Sequence, residues 1–266
     1  MFRLTREIRF AIHPEVSAQG ADPAHSVNSH AGSPALLGLG FFFTLQLTLA
    51  GPLDPKSGYL IDIKAIDHQV RKDGVPLVEA YLRRGRFAGG SELTLRLFEH
   101  FQQIWPGLAR VRLGLSPFFS MSVTQGEAPM VRLNQKFEFS AAHRLHNPAL
   151  SDEQNLATYG KCNNPRGHGH NYEIQVSLRG KPDANGQIIP VHTLQQIVTE
   201  NAVHKLDHKY LNEEVEEFAK LIPTVENIAM VIFHWLKPNF AAAKNGADLL
   251  AVTVWETPKT WCEYTE

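Results

Sequence analysis

The sequence predicts an α+β protein built from one layered unit used twice, each copy an antiparallel sheet with helices on one face. An internal repeat, period-two alternation in the strand segments and a pair of amphipathic segments between them carry that prediction. A shift of 129 residues aligns Arg3 with Arg132, Leu4 with Leu133, Phe10 with Phe139 and Gly38-Leu-Gly40 with Gly167-His-Gly169. It continues through Gln46/Gln175, Leu49/Leu178, Gly51/Gly180 and Asp54/Asp183. LQLTLAGPLDPKSGYLIDI and IQVSLRGKPDANGQIIPV then share a strand–turn–strand pattern, and ARVRLGLSP resembles AVTVWETP. The seam is the polar, turn-rich SMSVTQGEAPM, which divides the chain into residues 1–125 and 126–266.

The second copy shows the elements in order. Val131–His143 alternates as a strand. Residues 144–166 read as a polar loop with turn signals at Asn147-Pro148 and Asn164-Pro165. His168–Leu178 is a strand whose even residues (His168, His170, Tyr172, Ile174, Val176, Leu178) share one face, with Asn171, Glu173, Gln175, Ser177 and Arg179 on the other. Pro182–Gly186 makes a hairpin turn and Gln187–Val191 the return strand. A helix over Thr193–Lys205 places Leu194, Ile197, Val198 and Ala202 together. A second helix starts from Thr224 as N-cap behind Pro223, turns Ile228, Val231, Ile232 and Trp235 inward and stops near Pro238. Leu249–Glu256 is the last clear strand, so the order is ββααβ(β).

At 266 residues the chain has room for two domains, and 43% apolar residues supply a core and exclude global disorder. A formal charge of −1 leaves no broad basic field for nucleic acid or an anionic membrane. Two cysteines, Cys162 and Cys262, exclude a disulfide-stapled fold and fit a reducing compartment. MFRLTREIRFAIHPE lacks a long apolar run followed by a cleavage site, and ALLGLGFFFTLQLTLAG is interrupted by glycines and polar residues, which suits a buried strand. The expectation is a soluble cytoplasmic protein.

The chemistry gathers in the second copy, around KCNNPRGHGHNY. His168 and His170, two apart on a strand, point to one side and form a natural pair of zinc ligands. His143, at the end of the neighbouring strand and on the parity of Phe137 and Phe139, is the third. Cys162 is either a fourth ligand of a structural zinc or a free thiolate beside the metal, poised as a base. Asp207-His208 places a carboxylate beside an imidazole that it can hold in one tautomer. Glu256 shares a strand face with Val252 and Val254, where a carboxylate needs a partner; an edge bearing two N–H donors would serve.

The string FEFSAAHRL…GKCNNPRGHGHNYEIQVSLRG…LDHKYLN…PTVENIA…VTVWET resembles 6-pyruvoyltetrahydropterin synthase over nearly all of 131–257, and 6-carboxytetrahydropterin synthase of the queuosine pathway belongs to the same superfamily. The resemblance implies a T-fold and a lyase acting on 7,8-dihydroneopterin triphosphate. It implies zinc on His143, His168 and His170, Cys162 as base, and Asp207 with His208 as proton relay. Glu256 would grip the pterin, with Thr224 and Glu226 near the substrate and Arg144, Lys161 and Arg166 available for triphosphate. Five residues separate Cys162 from His168, a spacing that resembles the pyruvoyl-forming enzymes more than the queuosine ones.

The first copy departs from that pattern. Pro14, Ser33, Leu39, Phe41 and Leu115 stand opposite His143, Cys162, His168, His170 and Glu256. The resemblance therefore implies a tandem T-fold with a degenerate first copy kept for assembly, three chains replacing six subunits. Two rivals are a non-enzymatic tandem T-fold with a structural Cys-His₃ zinc, and a uricase-like tandem T-fold that needs no zinc triad.

Overall fold

A computed structural model describes residues 1–13, 39–85, 89–243 and 246–266. Two compact units emerge. One comprises Met1–Leu133 with Gly180–Ile188, the other Asn134–Arg179 with Ile189–Glu266. Pro14 and Ser33, the counterparts of His143 and Cys162, lie outside the described residues.

The first unit opens with strands β1 (Phe2–Ile12) and β2 (Phe41–Gly51), paired antiparallel from Phe2↔Gly51 to Ile12↔Phe41. The apolar run of β2 sends Phe43, Leu45, Leu47 and Leu49 into the core, while Thr48 on the other face bonds Thr5. The strand–turn–strand expected next is corrected. After the turn at Asp54–Tyr59, Asp62 caps helix α1 (Ile63–Gln69) by accepting from Lys64 N–H at 2.9 Å. That cap draws the segment into a helix instead of a return strand. A π turn, Val70–Gly74, leads to α2 (Val75–Arg83), followed by α3 (Gly90–Ile104). Leu93, Leu97, Phe98 and Phe101 form the buried stripe of α3. Strands β3 (Leu108–Ser116) and β4 (Phe119–Thr124) continue the antiparallel order after β2.

The second copy repeats the order. Strand β5 spans Val131–His143. The expected loop 144–166 is corrected, because it contains helix α4 (Asp152–Tyr159) and a single 3₁₀ turn, Gly160–Asn163. Ser151 Oγ accepts from Gln154 N–H while Gln154 Oε1 accepts from Ser151 N–H, a reciprocal cap that starts α4. Strand β6 (His168–Gly180) buries Tyr172, Ile174, Val176 and Leu178 completely. The predicted return strand Gln187–Val191 does not form. Pro190, which has no N–H to give a ladder, instead precedes α5 (Val191–Val198).

A second π turn, Thr199–Val203, joins α5 to α6 (His204–Leu206). The two-residue strand β7 (Lys209–Tyr210) runs parallel to β5 at Ala141 and Ala142, and α7 (Leu211–Glu214) follows. Helix α8 (Val225–Ala242) passes through Pro238 instead of ending there. Proline removes one donor, and Phe240, only 2% exposed, extends the buried stripe beyond it. Strand β8 (Ala247–Thr257) is not the last, since β9 (Thr260–Thr265) pairs with it from Ala251↔Thr265 to Thr257↔Thr260. Within this unit the sheet order is β5-β6-β8-β9. Both copies are thus antiparallel ββααββ layers, a tandem T-fold arrangement. No helix among the described residues is long and apolar enough to cross a membrane.

Candidate metal centre and its surroundings

His143 ends β5 with its side chain fully buried. Its Nδ1 lies 2.7 Å from the carbonyl oxygen of Pro223, just before α8, and donates to it. That bond assigns the tautomer and leaves Nε2 with a lone pair. Nε2 lies 3.1 Å from His168 Nε2. Gly167, at φ +70°, turns the chain into β6, and a Cβ there would come within 3.0 Å of His143 O. Only glycine brings His168 this close without strain.

His170 completes the group. Ligand atoms of His143, His168 and His170 all lie within 4.8 Å of one another. His168 Nδ1 and His170 Nε2 are buried without a hydrogen-bond partner. Burial pushes His143 down to about 4, the neighbouring imidazoles adding to the effect and the Pro223 carbonyl opposing it. Burial, followed by His170, also lowers His168. Converging lone pairs and unpartnered buried nitrogens fit a metal ion, which requires unprotonated imidazoles.

Two side chains support the trio. Tyr172 stacks on Phe139 with ring centroids 4.9 Å apart, and its hydroxyl lies 3.3 Å from His143 Nδ1. Burial raises its pKa, so it stays neutral. Glu256, near the end of β8, places Oε1 at 3.3 Å from His143 Nε2 and 3.6 Å from His170 Nε2. The parity with Val252 and Val254 thus carries it to the histidines.

Cys162 sits half-buried in the 3₁₀ turn, with its carbonyl accepting from Leu145 N–H at 2.9 Å. It is not a member of the 4.8 Å histidine group.

Asp207 and His208 are fastened to the edge of β5. Ser140 N–H donates to Asp207 Oδ1 at 2.9 Å, and His208 N–H donates to Ser140 O at 2.6 Å. The Ser140 N–H, then the His208 side chain, hold Asp207 below the usual carboxylate range. His208 adopts φ +58°, pairs Nδ1 with Asp207 Oδ2 at 2.8 Å and leaves its side chain 83% exposed. His208 and His170 border one cavity of about 610 Å³, along with Ser140, Asn171, Lys209 and Glu214. No hydrogen bond links Cys162 to either member of the pair among the described residues.

Thr224 caps α8, accepting from Asn227 N–H at 3.4 Å. Glu226 is exposed in its first turn, near enough to Cys262 to help raise that thiol, after burial. Lys161 and Arg166 are exposed, whereas Arg144 is half-buried. The Pro223 carbonyl and the Ser140 main chain were not anticipated. Tyr172 had a signal, since it shares the inward parity of His168 and His170.

The sequence profile of 6-pyruvoyl tetrahydropterin synthase matches residues 132–266. This chain belongs to that family. It is accordingly an enzyme, a lyase. The 6-pyruvoyl tetrahydrobiopterin synthase of Poecilia reticulata is 38% identical over 148 residues, 54% of this chain and 98% of that protein. The 6-carboxy-5,6,7,8-tetrahydropterin synthase of Haemophilus influenzae is 28% identical over 158 residues, 52% of this chain and 100% of that protein. The solved Caenorhabditis elegans 6-pyruvoyl tetrahydropterin synthase is 39% identical, covers 52% of this chain and 96% of its own, and superposes with a TM-score of 0.49. The family profile begins at residue 132, so the first copy lies outside it. There Leu39 and Phe41, opposite two of the histidines, are 101% and 43% exposed.

Proposed function

We propose that the second copy, residues 126–266, is a zinc-dependent pterin synthase. It converts 7,8-dihydroneopterin triphosphate to 6-pyruvoyltetrahydropterin and triphosphate. The observation that carries this reading is the three-histidine cluster, with two buried nitrogens that make no hydrogen bond, in a chain of this family. The reaction balances without an outside oxidant: triphosphate is eliminated, and the ring gains the two hydrogens that the side chain loses.

His143, His168 and His170 would hold zinc, which when bound acidifies the hydroxyl and C–H bonds of the substrate side chain. Cys162 takes and returns a proton as its thiolate. Asp207 holds His208 through Nδ1, leaving Nε2 to pass protons at the cavity wall. Glu256 accepts two N–H bonds from the amino-pyrimidine edge of the pterin. Thr224 and Glu226 lie at the margin, with the cap of α8 holding the Pro223 carbonyl against His143.

The position of Cys162 outside the histidine group favours a base over a structural ligand, and so an enzyme over a scaffold. Incubating the protein with 7,8-dihydroneopterin triphosphate and identifying the product by mass is the test. The pyruvoyl product is expected; the carboxy product, or none, defeats the proposal.

The first copy, residues 1–125, serves assembly in this reading. Among the described strands, β1 is the outer strand of the first unit and β9 the outer strand of the second, and each offers an edge to pair. A trimer of tandem chains would pair them and give Phe41 and Phe42, 43% and 42% exposed, something to pack against. Light scattering showing an active monomer contradicts this role.

A further inference from the structure

The residue after His143 ties three parts of the site together. Arg144 is held along its main chain by one side chain: Asn212 Oδ1 accepts from Arg144 N–H at 2.8 Å, and Asn212 Nδ2 donates to Arg144 O at 2.9 Å. Asn212 lies just beyond Asp207-His208. The guanidinium reaches the turn that carries Cys162. Nε donates to the Asn163 carbonyl at 3.2 Å and Nη2 to Asn163 Oδ1 at 3.2 Å. That same Oδ1 lies 3.0 Å from His146 Nδ1. Leu145 N–H adds a bond to the Cys162 carbonyl at 2.9 Å.

Arg144 is thus adjacent in sequence to a buried histidine, clamped to the segment after the Asp–His pair and bonded to the residue after the thiol. The oxygens that it reaches belong to a backbone carbonyl and a side-chain amide, both neutral, and Nη2 also lies 3.2 Å from His146 Nδ1. What these contacts use is the fork of the guanidinium, two donors spanning the backbone and side-chain oxygens of one asparagine. A lysine ammonium, a single point on a flexible stem, cannot span them.

We propose that Arg144 is a positioning residue for Cys162, fixing the turn of the thiol against the end of β5 and the Asp207–His208 segment, and not a contact for the triphosphate. The inference rests on the reading of Cys162 as the base.

The test uses the full chain with Cys262→Ser, so that Cys162 is the one thiol, and compares Arg144→Lys, Asn163→Ala and the pair. Metal content, kcat, KM and the alkylation rate of Cys162 by iodoacetamide are measured. Each single variant should lower kcat about tenfold or more, since small misplacements of a reacting group are costly, with KM within about threefold. Metal content should hold, and alkylation should quicken about threefold or more as the turn loosens. The double variant should be little worse than either single one, because both remove one shared contact. Wild-type kcat in Arg144→Lys, a raised KM at unchanged kcat, or unaltered alkylation in both variants overturns the proposal. If Arg144→Lys fails to fold, Asn163→Ala is judged by the same criteria. If the parent protein does not turn over the triphosphate, the functional reading fails, while alkylation and metal content still decide the positioning role.

Discussion

His143 makes metal-free stability depend on pH in a direction fixed by the structure. Its imidazole is completely buried, gives Nδ1–H to the Pro223 carbonyl and faces two other imidazoles. Burial pushes it from 6.5 down to about 4. The folded protein therefore holds His143 neutral where the unfolded chain protonates it. Stability is fully present above pH about 6.5, falls as the pH drops toward 4, and from this group falls no further below that. At about 1.4 kcal/mol for each pH unit between the two values, the contribution is about 3 kcal/mol. Urea unfolding of chelator-treated protein at pH 7, 5.5 and 4 reads it out. His143→Gln cannot titrate and should flatten that part of the profile, so the stability gap between wild type and variant narrows by about 3 kcal/mol from pH 7 to pH 4. An unchanged gap would mean that His143 is not kept neutral by burial, and the argument for its free lone pair would fall with it.

Metal analysis should find one zinc per chain, lost on replacing His168 and His170 together with Ala; two per chain, or retention in that variant, contradicts the trio. Cys162→Ala should abolish turnover and keep the metal, whereas loss of the metal would make the thiol a ligand. Glu256→Gln should raise KM about tenfold or more with metal content unchanged, from losing charge-assisted bonds of about 1.5–3 kcal/mol, and an unaltered KM removes Glu256 from the substrate site.

Strands were legible where one face is buried and the other is not. β5 and β6 alternate in sequence because they alternate in burial. Helix α4 was not legible, since Asn155 is its one buried residue and leaves no apolar stripe to read. Its start was written in Ser151 and Gln154, a capping signal in a segment otherwise rich in turn residues. Asn155 is itself the anchor of this segment: its side chain accepts from Asn147 N–H and donates to the carbonyls of Asn147, Leu150 and Ser151. Such a polar hub has no periodicity. The three histidines were legible from parity alone. What orients them was not, because the Pro223 carbonyl and the Ser140 main chain are backbone groups that any residue carries.

In the proposed reading the two copies differ in a metal site without differing in the sheet. In β6 the completely buried inward positions begin at Tyr172 and run through Ile174, Val176 and Leu178. His168 and His170 occupy the inward positions before that run, at the end of the strand where the core has not yet closed. In β2 the buried run is Phe43, Leu45, Leu47 and Leu49, and Leu39 and Phe41 precede it exposed. Both strands thus spend the same four inward positions on packing and leave the preceding pair outside that demand. On the proposed reading a histidine at those two places answers to a metal and to little else, and its replacement leaves the apolar burial that holds the strand untouched. Phe10 with Phe139 and Leu49 with Leu178, which repeat at the constant shift, are buried in both copies. Where the copies diverge, at Leu39/His168 and Phe41/His170, packing imposes no choice and chemistry does.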